Sequence, residues 1–248
     1  GPHWKRLRAL GSLGFTNKSL RNILSTVENS AVTMVNGLER CRDEVNALKY
    51  FQEYTLDIIC KVALGMRDVE MFNNEYLVIL RGIFYRPLSH PVTVLPSLFP
   101  SIVDEVRLTF RILSNLGIKK SAFVALVDRI KENVVRRKAQ RANGRESSGD
   151  FIDLFLDAEV DVDEVQFGED SDTTRKLSSD EIVGQCLVFV LAGFDTTSNS
   201  LAYTTHFLAN YPEVQQKLID EVDSFMKENE KIDIEQLSNL PYMDAVIK

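Results

Sequence analysis

Apolar residues recur every three or four positions along most of this chain, which is the spacing of amphipathic α-helices. The predicted helices cover the segments 3–10, 17–44, 46–64, 71–85, 119–143 and 151–158. Gly65 follows the third of these segments, where a glycine commonly ends a helix. Pro212 suits the first position of a further helix. The periodicity therefore predicts an all-α fold.

The longest predicted helix spans 177–211. Ser178 and Glu181 have the spacing of a capping box, and no proline interrupts the chain before Pro212. At about 1.5 Å per residue, such a helix is roughly 45 Å long and crosses a whole domain. Its middle, 186–194, is apolar on every side, so we expect it to be buried all round. This apolar run is much shorter than the roughly 20 residues of a membrane span.

Polar residues follow the apolar run abruptly, beginning with Asp195 and Thr196. A buried, unpaired carboxylate is unfavourable, so Asp195 is expected to find partners or a proton. Gly193 is a second anomaly, because glycine inside a helix costs about 1 kcal/mol relative to alanine. Ala192 and Thr196 are four residues apart and share a face, with Gly193 beside them. The segment predicts a shallow groove with few side chains, against which a flat ligand could lie.

A purely structural interpretation competes with this groove. Small residues inside a helix usually allow a second helix to pack closely. Serine and threonine hydroxyls often bond back to a carbonyl one turn earlier. On the residues alone, this second interpretation is favoured.

Trp4 and Arg8 are also four residues apart, so they share a face of the first predicted helix. The commoner arrangement is a packed tryptophan beside a solvated arginine. The functional alternative is an anion site, because the planar guanidinium suits a carboxylate and the indole N–H donates a second hydrogen bond.

Composition bounds the possible functions. The 248 residues are 44% hydrophobic and 26% charged, which is typical of a globular protein. A net charge of -7 and a pI near 5.1 argue against a nucleic-acid partner. The three cysteines, Cys41, Cys60 and Cys186, have no paired spacing, and we expect them to be reduced and mostly buried. The abrupt beginning and end of the chain suggest a fragment.

Two segments break the helical pattern. Four prolines punctuate the otherwise apolar stretch 87–100, which predicts either a loop folded on the core or an exposed interaction site. A linker is predicted around 143–176, with a strongly acidic part at 159–172. The basic cluster that precedes it, from Arg129 to Arg145, is expected to be solvated surface.

Three motifs resemble those of the cytochrome P450 family, the haem-thiolate monooxygenases. They are A-G-x-D-T-T at 192–197, W-x-x-x-R at 4–8 and Y-P-E-V-Q-Q-K-L at 211–218. The resemblance is nearest to microsomal, animal-type members and extends over the whole chain. It implies that residues 1–248 are a single partial domain, the helical portion of that fold. The family's E-x-x-R helix, which would follow 240–248, and its cysteine loop are absent, so the chain alone is expected to be inactive.

The resemblance also implies roles for individual residues. Thr196 would interact with dioxygen or its partner water, and Asp195 would connect that place to bulk protons. Ala192 and Gly193 would let haem b approach the helix beside Thr196, while Trp4 and Arg8 hold a propionate. The residues lining the substrate pocket would be Leu191 and Ala192, and none of the residues present is expected to ligate the metal.

Further expectations concern partners and location. The resemblance implies a small lipophilic substrate, O2, and electrons from NADPH-cytochrome P450 reductase, with Lys5 and Arg6 either on the reductase-binding surface or simply solvated. It also implies the cytoplasmic face of the endoplasmic reticulum membrane, with a possible membrane contact near 87–100.

Two other classes of function remain open on the sequence. A non-enzymatic, all-helical interaction protein would use the proline-punctuated apolar segment as its binding patch. A hydrolase would use Asp195 with Thr196, but such chemistry needs a nearby base, and His3, His90 and His206 stand in no recognisable frame.

Overall fold

The structure is a computed structural model that describes residues 1–42, 44–85, 94, 98–115, 121–144, 149–159, 177–229 and 234–248. Within these residues the chain forms ten α-helices and no strand, which confirms the all-α prediction. The helices are α1 (Pro2–Ser12), α2 (Asn17–Glu39), α3 (Ala47–Val62), α4 (Glu75–Phe84), α5 (Val103–Asn115), α6 (Ala122–Ala142), α7 (Phe151–Asp157), α8 (Ser179–Asn210), α9 (Pro212–Glu228) and α10 (Pro241–Ile247). Short 3-10 helices occupy Leu13–Phe15, Pro100–Ile102 and Ile234–Asn239.

Local signals fix where these helices begin and end. The predicted capping box is present, since the Ser178 side chain accepts from the Glu181 amide and the Glu181 carboxylate accepts from the Ser178 amide. Gly65 adopts a φ of +59°, the left-handed conformation that ends α3. The α4 helix begins four residues later than predicted, at Glu75, because the side chain of Asn74 caps it. The α5 helix was not predicted.

The α8 helix organises the packing of the others. It packs most extensively against α3, and α6 and α7 also lie against it. The α2 helix covers another side of α3, while α4 bridges α3 and α6. The fully buried side chains at the centre of this assembly include Leu56, Cys60, Leu80, Leu126, Ile130, Ile152, Phe155, Ile182, Cys186, Val190 and Phe194.

The expectation that 186–194 is buried all round is wrong. Cys186, Val190 and Phe194 are buried, but Val188 is 59% exposed and Ala192 is exposed as well. The apolar residues surround the helix, yet none of the described helices covers this one face. An apolar residue on α8 therefore does not by itself show that its position is in the core.

Part of the predicted basic surface is also in the core. Arg137 is only 3% exposed, and its guanidinium donates to Asp150 (3.0 Å), Asp153 (2.9 Å) and the carbonyl of Gly65 (2.6 Å). It is therefore not solvated as the sequence suggested. A buried guanidinium needs carboxylates and carbonyls to offset its desolvation, and α7 together with the end of α3 provides them.

Most residues of the two irregular segments lie outside the described residues. Of the proline-punctuated stretch 87–100, the structure describes Val94 and 98–100, and Leu98 and Phe99 are exposed. Of the predicted linker 143–176, it describes 143–144 and 149–159, which include α7. The acidic residues 160–172 and His90 are not described.

Candidate functional site

An open face runs along α8. Exposed side chains follow one another at helical spacing on this face, namely Val188, Ala192, Thr196, Tyr203 and Phe207. Among the described helices, α1 covers only its beginning, where a Cβ atom at Gly11 would lie 3.4 Å from Gln185 Oε1. The small residues Ala192 and Thr196 therefore lie on the open face just beyond the end of α1.

Contacts with Glu181 hold α1 in place against α8. The Glu181 carboxylate bonds to the His3 ring at 2.8 Å and pairs with the guanidinium of Arg6. The pKa of Glu181 is lowered because the Ser178 amide, His3 and Arg6 together outweigh the effect of its partial burial, which acts the other way. Arg6 is thus a part-buried helix contact, whereas the sequence predicted it either on the reductase-binding surface or on a solvated face. This arrangement fixes the position of the other residues on α1.

Trp4 and Arg8 lie side by side on α1, as their spacing predicts. The Arg8 guanidinium carbon lies 5.5 Å from the centroid of the Trp4 ring, and both side chains are exposed. No carboxylate among the described residues pairs with Arg8. The pair therefore offers an arginine fork and an indole N–H, which are both hydrogen-bond donors, to an anion.

The hydroxyl of Thr196 donates a hydrogen bond to the carbonyl oxygen of Ala192, one turn earlier. This is the local bond that the structural interpretation anticipated. Because the proton is directed to the backbone, the hydroxyl oxygen keeps its lone pairs available on the exposed side. Thr196 is thus placed to accept a hydrogen bond from a group on the open face.

Asp195 belongs to a different side of the same helix. Consecutive helical residues are about 100° apart, and the Asp195 side chain is directed toward the end of α4 instead of the open face. Its Oδ1 accepts a 2.8 Å hydrogen bond from the hydroxyl of Tyr85, at the end of α4. Asp195 and Thr196 are therefore neighbours in the chain that have different surroundings.

Sequence reasoning missed Tyr85 and Gln52. The amide of Gln52 donates to Tyr85 at 2.7 Å, and Arg81 Nε donates to Gln52 at 3.0 Å. Burial is the main cause that raises the pKa of Tyr85, and its hydrogen bond to Asp195 raises it further. The available signal was a polar glutamine in the apolar pattern of α3, where an uncharged side chain without a visible partner attracts little attention.

Gly193 and Leu191 face the core side of α8. A Cβ atom at Gly193 would lie 2.4 Å from Ile59 Cδ1, so the missing side chain makes room for α3. Leu191 is partly buried and packs against the core cluster. The predicted roles of Gly193 toward a cofactor and Leu191 toward a substrate remain predictions.

None of the three cysteines has the surroundings of a thiolate ligand. Burial raises the pKa of Cys60 and that of Cys186 to about 12, so both are neutral thiols at ordinary pH. Cys41 is exposed and shares a 2.7 Å hydrogen bond with the hydroxyl of Tyr50. Across the described part of the chain, no group of three or more His, Cys, Asp or Glu side chains could hold a metal ion.

A family model described as Cytochrome P450 matches residues 1–248. This chain belongs to the cytochrome P450 family. Two curated relatives from Caenorhabditis elegans are Putative cytochrome P450 CYP13A10, 40% identical over 262 residues, and Putative cytochrome P450 CYP13A1, 38% identical over 263 residues. Each match covers 100% of this P450 chain and 50% of the relative. The chain thus spans about half the length of the curated relatives it matches.

Haem is the cofactor that the family implies, and the described residues fit one part of its environment. The small side chains on the open face of α8 leave room for a flat macrocycle, and the free donors of Trp4 and Arg8 suit its carboxylates. The neutral, buried thiols do not fit the axial ligand. Among the described residues, no helix is long and apolar enough to cross a membrane.

Proposed function

We propose that this chain forms the oxygen-side half of a haem monooxygenase that inserts one atom of O2 into a small lipophilic substrate. The observation that carries the proposal is the open face of α8. It presents Ala192 and Thr196 beside a helix whose Trp4 and Arg8 offer free donors. Family membership supports this assignment over a non-enzymatic interaction protein.

Trp4 and Arg8 orient the cofactor. A propionate is a carboxylate, and a guanidinium can bind it through two parallel N–H···O bonds that fix its orientation. The stacking of Arg8 near the Trp4 ring restricts both side chains before any ligand arrives. Ala192 contributes by its small size, because a larger side chain on the open face would keep a flat ring away from Thr196.

When bound, haem supplies the activation of dioxygen, and the chain supplies position, polarity and protons. The Thr196 oxygen accepts a hydrogen bond on the open face, because its own proton is held by Ala192. Asp195 exchanges protons with solvent from the neighbouring side of α8. Leu191 and Ala192 form part of the wall against which the substrate lies.

The partners and the location follow from the family resemblance. Electrons come from NADPH-cytochrome P450 reductase, and the exposed Lys5 on α1 belongs to the surface that receives it. The protein acts at the cytoplasmic face of the endoplasmic reticulum membrane, which the segment 87–100 contacts. The axial cysteine comes from a segment other than 1–248, and this chain by itself is inactive.

The test uses this chain within a polypeptide of the relatives' full length, referred to below as the extended protein. After reduction and exposure to CO, the extended protein should show the absorption band of a thiolate-ligated haem. Arg8→Ala should lose haem during gel filtration, whereas Lys5→Ala on the same helix should retain it. A protein that binds no haem, or an Arg8→Ala variant with unchanged haem content, contradicts the proposal or the role of Arg8, respectively.

A further inference from the structure

Three hydrogen bonds join side chains of α3, α4 and α8 into one hydrogen-bond network. Arg81 Nε donates to Gln52 Oε1 (3.0 Å), Gln52 Nε2 donates to the Tyr85 oxygen (2.7 Å), and the Tyr85 hydroxyl donates to Asp195 Oδ1 (2.8 Å). None of the sequence motifs indicates this network. It connects the carboxylate beside the open face of α8 to a guanidinium on another helix.

The chemistry of its ends fixes the direction of every bond. Arginine has only donors, so the side chain of Gln52 must turn its oxygen toward Arg81 and its amide nitrogen toward Tyr85. The Tyr85 oxygen accepts from that amide, so the phenolic proton is left for Asp195. A positive end and a negative end polarise the bonds between them in the same sense.

The middle of the network is buried, which holds it in one arrangement. Gln52 is only 2% exposed, and a buried amide that lost its partners would be strongly unfavourable. Tyr85, at the other end, is half-exposed at the last turn of α4. Gln52 therefore acts as the fixed point that holds the half-exposed phenol against α8.

The two oxygens of Asp195 have different environments. Oδ1 is bound by Tyr85, whereas no described residue bonds to Oδ2. The side chain is half-buried, and Oδ2 is not one of the buried atoms without a hydrogen-bond partner, so this oxygen remains accessible to solvent. One oxygen is anchored, and the other is left to exchange protons.

We propose that Tyr85 and Gln52 are positioning residues for Asp195, which hold one carboxylate oxygen so that the other is kept for proton transfer. The proposal rests on the proposed monooxygenase function, because it gives Asp195 its purpose. Arg81 completes the arrangement by orienting the Gln52 amide.

The first test does not depend on haem. Titration of tyrosines labelled at Cζ with carbon-13, followed by NMR and assigned with Tyr85→Phe, reports the pKa of the Tyr85 phenol in the full chain. Asp195→Asn should lower this pKa, because the carboxylate favours the protonated phenol. Gln52→Leu should raise it, because the amide stabilises the phenolate. The half-buried Tyr54, whose pKa is raised by burial alone, should be unaffected by either change.

Opposite shifts of the Tyr85 pKa in the two variants would support the assigned order of donors and acceptors in the network. An unchanged phenol in Asp195→Asn, or a downward shift in Gln52→Leu, would overturn it. Both variants keep nearly the same side-chain volume, so loss of folding is not expected to hide the result.

The second test uses the extended protein with haem bound. Tyr85→Phe and Gln52→Leu should divert a larger share of the electrons from NADPH into peroxide, while Tyr54→Phe should not. Unchanged coupling in Tyr85→Phe would reject the positioning role. The titration tests the hydrogen-bond network independently of haem. Absence of the CO-bound haem band would reject the proposed function instead. The two failures are therefore distinguishable.

Discussion

Gly193 of α8 lies directly against Ile59 of α3. A Cβ atom on Gly193 would be 2.4 Å from Ile59 Cδ1, closer than real Cβ atoms approach a neighbour, and 3.1 Å from Cγ1, which is a tight contact. One turn of α3 away, the hydroxyl of Thr55 donates to the carbonyl of Phe194 at 3.1 Å. The absent side chain thus serves the packing of the two central helices.

Gly193→Ala should therefore destabilise the chain, although alanine is the better helix former. Overpacking typically costs about 1–3 kcal/mol, against a gain of about 1 kcal/mol in helix propensity. The free energy of unfolding, measured with denaturant, should fall. Gly184 is the matched control, because nothing lies within 4 Å of its Cβ position on the same helix, and Gly184→Ala should stabilise.

Ile59→Val removes the atom that clashes and should restore most of the loss in the double variant. If Gly193→Ala and Gly184→Ala changed stability alike, the contact with Ile59 would carry no weight.

Among the cations of the basic cluster, substitution of Arg137 should destabilise the fold most. Arg137→Met leaves the buried carboxylates of Asp150 and Asp153 without their common partner, which typically costs about 3–5 kcal/mol. Arg141, one turn later, pairs with the exposed Asp157, so Arg141→Met should cost less than about 1 kcal/mol. Equal losses in the two denaturation curves would contradict the burial of Arg137.

Alkaline pH should destabilise the fold through its buried thiols. Burial raises the pKa of Cys60 and that of Cys186 in the folded chain from 9.0 to about 12. Below pH 9 both thiols are protonated in the folded and in the unfolded chain, so their ionisation does not change the free energy of unfolding. Between pH 9 and 12 the unfolded chain releases these protons and the folded chain does not. Stability should therefore fall by up to about 1.4 kcal/mol per pH unit for each thiol.

Denaturant unfolding at several pH values measures this slope. Cys41→Ser should leave it unchanged, because Cys41 is exposed, whereas Cys60→Ala should reduce it. Buried tyrosines such as Tyr76 add to the slope at higher pH, so the comparison between variants is the decisive one. A Cys60→Ala slope equal to that of the unmodified chain would show that the thiol ionises without unfolding.

Thr196→Ala should uncouple NADPH consumption from product formation in the extended protein. The substitution removes the hydroxyl oxygen from the open face but leaves the Trp4 and Arg8 pair untouched. We expect the CO-bound absorption band to stay near its thiolate position while NADPH consumption yields peroxide. Thr196→Ser, which keeps the hydroxyl, should restore much of the coupling, and Thr197→Ala should resemble the unmodified protein. Tight coupling in Thr196→Ala would remove Thr196 from the mechanism.

Much of the candidate site was within reach of sequence reasoning. The repeated apolar spacing, the capping box at Ser178 and the stop at Gly65 predicted α8 and α3 to within a few residues. The spacing of Trp4 and Arg8 predicted their shared face on α1. The anomaly of a glycine and an acid in an apolar helix singled out 192–197. These signals succeed because they depend on residues within one or two turns of each other.

The amino-acid sequence by itself determined most of the helical segments, although not α5, their approximate ends, and which residue types stand together on each helix face. Tertiary structure alone decided which helix covers each face. It left Ala192 and Thr196 uncovered, placed Arg137 inside, and joined Asp195 to Tyr85, which is 110 residues earlier in the chain. The physical reason is that periodicity records whether a face is apolar, whereas its partner depends on the packing of residues that are distant in sequence.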